Sequence, residues 1–200
     1  MADSTASDGI NVYTGSTVTH NTVYNNQGTG IYAGSGSTII NNTAYNNQQS
    51  GLFIAFGSTV SHNTAYNNQN SGIYAGMGST VTHNTVYSNQ TDGIYTFGAT
   101  VIHNTAHSNN QSNSAGSGGI RVGVGGSIVK NNVVRSNLQN NIYVFSSDNT
   151  IEENLVTDSE NGIFFDSAGN FYANNRASGN TMNFNTDGHT QTDGGGNVGF

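Results

Sequence analysis

Apolar residues recur along this chain as short pulses in a polar background, and the pulses return about every 21 residues. From Gly72, Ile73 and Ala75 flank Tyr74, Val81 sits between Thr80 and Thr82, and Val86 sits between Thr85 and Tyr87. Alternation over three residues is strand-like, and no segment holds a helical spacing for even about ten residues. The unit starts at Gly9, Gly30, Gly51, Gly72 and Gly93, with degenerate copies from Gly119, Asn141 and Gly162. A fixed period of this length predicts an all-β solenoid, whose units bury their apolar side only by stacking on one another.

The spacing inside one copy predicts its shape. Ile73 and Ala75 fit one strand, but Val81 and Val86 are an odd number of residues apart and cannot share one face of a straight strand. A corner is therefore expected between them. Asn84, a residue type tolerant of the left-handed backbone region, is expected to make it, and a second corner is expected near Asn89. Each coil then has three short strands.

Stacking coils at roughly 4.8 Å puts like above like, so the core can be read as columns. One is Ile10, Ile31, Leu52, Ile73, Ile94, Ile120, Ile142, Ile163; a second is Val18, Ile39, Val60, Val81, Val101, Val129, Ile151, Tyr172; a third is Val23, Ala44, Ala65, Val86, Ala106, Val134, Val156, Ala177. Two corner columns predict amide ladders. The first is Asn21, Asn42, Asn63, Asn84, Asn104, Asn132, Asn154 and Asn175; the second is Asn26, Asn47, Asn68, Asn89, Asn109, Asn137 and Asn180, interrupted by Ser159. The expected rod has eight full coils and a partial ninth, with residues 1–8 as a lead-in, 9–184 as the helix and 185–200 as a polar tail or cap.

Composition changes this picture little. Charged residues are 8% of the chain and Asn, Gly, Ser and Thr abound over modest aliphatic content, a bias that elsewhere would suggest disorder, but strict register argues for order. Four Lys and Arg against a net charge of −7 exclude a phosphate-binding surface. There is no cysteine, no membrane-length apolar run, and no signal peptide at Met1-Ala2-Asp3-Ser4.

Gly-Ile strands, Val-x-x-Asn-x-Val units and stacked Asn corners resemble the right-handed parallel β-helix of the pectate-lyase-like superfamily, in particular its short-repeat members. Those include alginate epimerases, alginate lyases, and carbohydrate-binding or sugar-hydrolase repeat proteins. The resemblance covers Gly9 to about Phe184 and implies an extracellular or cell-surface protein with polysaccharide as partner, bound along the first strand. It implies fold far more strongly than activity, since one fold hosts many chemistries.

On that first strand the outward column is Asn11, Tyr32, Phe53, Tyr74, Tyr95, Arg121, Tyr143 and Phe164. Tyr32, Phe53, Tyr74, Tyr95, Arg121, Tyr143 and Phe164 are the expected ligand track, offering flat faces to pyranose rings; cross-strand pairing alone would also explain them. An insertion, Asn113 to Gly118, falls in the turn before the sixth coil, where it would overhang Arg121. Should there be catalysis, Arg121, Tyr95, Tyr143 and Asp166 are the candidates: the Arg to neutralise a uronate, the others to move a C5 proton. Repeat regularity favours a non-catalytic binding or structural solenoid over a lyase, hydrolase or C5-epimerase acting on alginate or pectate.

Other columns are weaker signals. His62, His83 and His103 stack one coil apart, but parallel rings do not converge on a metal. Calcium is raised by the resemblance, yet Asp92, Asp148, Asp158, Glu160, Asp166, Asp187 and Asp193 form no calcium motif, and no cofactor is expected. The Asp-Pro-His motif of alginate epimerases is absent, since the chain has no proline. Thr17/Thr19 and Thr80/Thr82 suggest an ice-binding face as a second alternative, broken by Ile40 and Ile102 and neighboured by large Tyr rings. Lys130 and Glu152 form an expected surface pair. The lead-in is too short for a capping helix, so the first coil's strand edges are expected to support a homodimer.

Overall fold

A computed structural model describes residues 7–200 and has three parallel sheets of nine strands each, with no helix among the described residues. Each coil contributes one strand per sheet; in the fourth coil these are Ile73–Ala75, Thr80–Thr82 and Thr85–Tyr87. Register is strict, with Ile73 opposite Leu52 and Ile94, and Val81 opposite Val60 and Val101. The expected three-strand solenoid is the fold. Residues 185–200 carry more regular structure than a tail: Thr192–Asp193 and Val198–Gly199 pair with the preceding coil in the second and third sheets. Residues 1–6 of the expected lead-in lie outside the described residues.

The core is a narrow shaft filled by the three expected columns, with Ile31, Ile73, Ile94, Val81 and Val86 wholly excluded from solvent. A fourth column, Ala33, Ile54, Ala75, Thr96, Val122, Val144 and Phe165, completes it from the second inward position of the first strand. Two inward side chains from the first strand and one from each of the others fill each coil, which is why so polar a sequence can pack a core.

Both ladders form. In the first, each Nδ2 donates to the next Oδ1 at 3.0–3.1 Å, from Asn21 to Asn175, and the series ends on Asn197. Each rung also donates to a backbone carbonyl, as Asn84 does to Val60 and Thr82. Such buried amides would cost about 1–3 kcal/mol each if left unpaired.

The corners are shifted by one residue from the expectation. The left-handed residue is not Asn84 but His83, at φ 56°, and its column is His20, Asn41, His62, His103, Asn131, Glu153 and Asn174. At the second corner it is Ser88, not Asn89, with Asn25, Asn46, Asn67, Ser108, Ser136 and Asp158 in the same role. A left-handed residue turns the chain and leaves its own side chain outside; the following Asn can then point inward into the ladder. Corner and ladder rung are two roles carried by adjacent residues.

The second ladder is not broken at Ser159. Asn137 donates to Asn141 Oδ1 at 2.9 Å, and Asn141 donates to Asn180 Oδ1 at 3.1 Å. Asn141 occupies the position that is glycine in the other seven full copies. That glycine is required by space: a Cβ on Gly72 would lie 2.7 Å from Asn89 Nδ2 and 2.8 Å from the Gly93 carbonyl oxygen. Where the rung is the smaller Ser159, the space accepts the Asn141 side chain instead. Gly72→Ala is accordingly expected to cost about 2–3 kcal/mol by overpacking. Denaturant unfolding checks this, and a midpoint equal to wild type would show that the ladder yields without strain.

A further column escaped the sequence reading. Ser37, Ser58 and Ser79 each accept the preceding coil's backbone N–H on Oγ at 3.1–3.2 Å; the series is interrupted at Ala99 and resumes through Ser127 to Asn149 and Asn170. It satisfies the turn between the first and second sheets. The whole polar turn structure is thereby tied to the stack.

Candidate functional site

The expected ligand track lies on the first sheet in register: Tyr32 beside Phe53, Tyr74 beside Tyr95, Arg121 between Tyr95 and Tyr143, and Phe164 beyond. Its rings do not offer faces to solvent. Tyr32 and Phe53 stack at 5.3 Å, and Phe53 and Tyr74 at 4.3 Å, with planes within 6°. Along Tyr32, Phe53 and Tyr74 the ring faces cover one another, which leaves mainly edges and phenol oxygens outward. The stack turns at Tyr95, which meets Tyr74 edge to face at 86°.

That turn marks the most built part of the surface. Gln49, Asn70 and Thr91 form one bank of a groove and Phe53, Tyr74 and Tyr95 the other, with a volume of about 330 Å³. Ser114 and Ser117 of the insertion and the side chains of Asp92 and Arg121 complete its lining at the sixth coil. The expected neighbourhood of insertion and Arg121 is therefore present.

Arg121 is held on several sides. Its guanidinium lies 4.4 Å from the Tyr95 ring centre, 4.8 Å from Phe145 and 6.0 Å from Tyr143, close enough for cation–π attraction at the first two. Its Nη1 is 3.7 Å from Asp92 Oδ2. Asp92 is only 2% exposed and accepts the Gly118 N–H at 2.9 Å. Burial pushes its carboxyl up to about 7, against the lowering pull of the Gly118 N–H, the Arg121 charge and Ser117. Arg121 Nε is buried with no partner.

Of the four candidates for chemistry, Arg121, Tyr95 and Tyr143 come together and Asp166 joins through Tyr143. The Tyr143 hydroxyl donates to Asp166 Oδ2 at 2.6 Å. Burial first, then Asp166, pushes the Tyr143 phenol up to about 12. The Tyr143 phenol thus keeps its proton, directed at Asp166. Asp148 lies apart in a turn, at φ 59°, with Ser147 Oγ donating to it.

Sequence reasoning missed Asp92 and Phe145 as members of this group. Asp92 stands where the preceding copies have Thr29, Ser50 and Ser71, and it is the first charged residue after Asp8. That substitution was the available signal. Phe145 gave none, because it follows the strand and enters only through the turn geometry.

Elsewhere the side chains fall as follows. His62 and His83 stack at 5.0 Å with parallel planes, and His83 and His103 are 5.1 Å apart. Asp166, Asp187 and His189 place one ligand-type atom each within 4.8 Å of the others, all exposed. Lys130 meets Glu153 at 3.0 Å and Glu152 at 3.5 Å, so the expected pair is a surface trio. On the third sheet Tyr24, Tyr45, Tyr66, Tyr87 and His107 stack at 4.8–5.1 Å.

The sequence matches the family described as "Right handed beta helix region" over residues 8–137 and 80–200. No curated protein matches it in sequence. Among solved structures it is similar to the A-module of Azotobacter vinelandii mannuronan C-5 epimerase AlgE6, at 18% identity and a TM-score of 0.77, covering 92% of this chain and 64% of that one. The periplasmic alginate epimerase AlgG follows at 16% identity and 0.75, covering 90% and 50%. The alginate lyase from Paenibacillus sp. str. FPU-7 shares 13% identity at 0.59, covering 86% and 72%. The chain spans 64% and 50% of the two epimerase chains, and at these identities the likeness is one of fold.

Proposed function

Because the chain belongs to the right-handed β-helix family, whose structural neighbours here include polysaccharide-acting enzymes, we propose that it binds polysaccharide along its first sheet without altering it chemically. The observation that carries this reading is the groove of about 330 Å³ between the Gln49–Asn70–Thr91 bank and the aromatic column. Its partner would be met outside the cell or at its surface; no helix among the described residues is long and apolar enough to cross a membrane.

A catalytic reading, as a lyase, hydrolase or C5-epimerase, would centre on Arg121, Tyr95, Tyr143 and Asp166. It needs a base beside a free cation. Tyr143 keeps its proton near neutrality, and Arg121 already faces the Asp92 carboxylate. These two contacts favour binding over chemistry. The stacked rings of the third sheet likewise favour a glycan partner over an ice surface, because they interrupt any flat threonine array.

Incubation with alginate, pectate and neutral glycans separates the readings. Retention on a glycan gel with no unsaturated uronate, no new reducing ends and no change in uronate composition is expected. Product formation, abolished by Arg121→Ala, would replace the binding reading with the catalytic one.

A further inference from the structure

The groove's charge pattern carries the glycan-binding reading one step further, to the class of glycan. Between Asp8 and Asp92 the chain has no Asp, Glu, Lys or Arg, so the polar groups that the side chains of the first four coils present are amides, hydroxyls and imidazoles. On the groove's polar bank Gln49, Asn70 and Thr91 supply one amide or hydroxyl per coil, with Thr91 Oγ1 donating to Asn70 Oδ1 at 2.9 Å. Such groups both donate and accept, as sugar hydroxyls do. Opposite them stand the ring edges of Phe53, Tyr74 and Tyr95.

Arg121 is the one cation lining the groove, and where the buried Asp92 is ionised, above about pH 7, the carboxylate at 3.7 Å matches its charge. A uronate carboxylate entering here would find no free positive charge. It would meet Asp92 and a chain of net charge −7. Desolvating an anion without a partner is costly, whereas a neutral sugar exchanges water for amides and hydroxyls at little loss.

We infer that the groove takes a neutral, hydroxyl-rich glycan strand and discriminates against polyuronates, an inference that rests on the glycan-binding reading above. Asp92 is the discriminating residue: it holds Arg121 neutralised at the end of the track. The titratable groups facing Asp92 are Arg121, Tyr95 and Tyr143, and both tyrosines keep their protons near neutrality. Protonation of Asp92 below its midpoint of about 7 therefore exposes the Arg121 charge to the groove.

The test is calorimetric titration of the whole chain with soluble glucomannan and with polyguluronate, each well above and well below that midpoint. Above it, glucomannan is expected to bind at least about tenfold tighter than polyguluronate, with little dependence on salt. Tyr74→Ala should weaken glucomannan roughly tenfold. Asp92→Asn should raise polyguluronate affinity at least about tenfold, in a salt-sensitive way. Acidifying the wild-type chain should do the same, and this arm stands even if the variant folds poorly.

Polyguluronate binding tighter than glucomannan above the midpoint, and lost in Arg121→Gln, would overturn the neutral-glycan inference while leaving the glycan-binding reading intact. Binding of neither polymer, nor of other neutral or acidic glycans on the gel, would overturn both.

Discussion

Asn84→Leu should cost about 3–5 kcal/mol of stability, as should the same change at the equivalent rungs Asn42 and Asn63. Asn84 donates to the Val60 and Thr82 carbonyls and to Asn104, and its Oδ1 accepts both the backbone and the side-chain N–H of Asn63. It is 1% exposed, so water cannot replace these partners. Leucine fills a similar volume and satisfies none of them. The neighbouring His83→Asn should change stability by less than about 0.5 kcal/mol, because His83 is the outward, left-handed residue and Asn takes that role at Asn41, Asn131 and Asn174. His83→Val should lose about 1–2 kcal/mol from backbone strain alone. Chemical denaturation of the three variants orders them. An Asn84→Leu loss no greater than that of His83→Val would mean the ladder contributes little beyond its geometry.

The second large effect is a dependence on pH that runs opposite to the usual behaviour of a paired carboxylate. Asp92 is raised from 3.8 to about 7, mainly by burial. Between those values the folded chain keeps a proton that the unfolded chain has released, so rising pH favours unfolding. The penalty is absent below the unfolded value and complete above about 7, reaching up to about 4 kcal/mol. Asp92→Asn removes the titrating group. Stability of wild type minus variant should therefore fall steadily from pH 4 to pH 7 and then level off, a window set by the two values for Asp92. A difference that stays constant across that window, or one that rises with pH, would show that Arg121 and Gly118 overcome the cost of burial.

The two variants also mark what the sequence could and could not reveal. The inward columns were legible because coils stack in register, so a period in sequence is a line in space. Asn84 was legible as a ladder residue for the same reason. Its separation from the corner role was not, since Asn suits both roles and the pairs Asn41-Asn42, Asn131-Asn132 and Asn174-Asn175 look alike. Asn141 filling the gap at Ser159 depends on a cavity between two different columns, which no single column announces.

Within the site, the insertion and the odd Arg121 could be found as departures from the repeat. The direction in which the aromatic rings face could not, because it follows from ring-on-ring packing between coils. Asp92 was visible as a charge in a Ser/Thr column but became meaningful only once Arg121 was seen beside it.

The first ladder also shows how such a stack accommodates coils of different length. Successive rungs are separated by 20, 21, 22 or 28 residues, yet the amide contact stays at 3.0 Å. Turns absorb the difference in length and the stack is indifferent to it. Because each coil contributes one rung, a stack with one regular coil more or fewer would keep the same donor-to-acceptor pattern along this ladder. A groove running along such a stack has a length counted in coils, whereas the Asp92–Arg121 contact belongs to one place in it, the irregular sixth coil with its insertion.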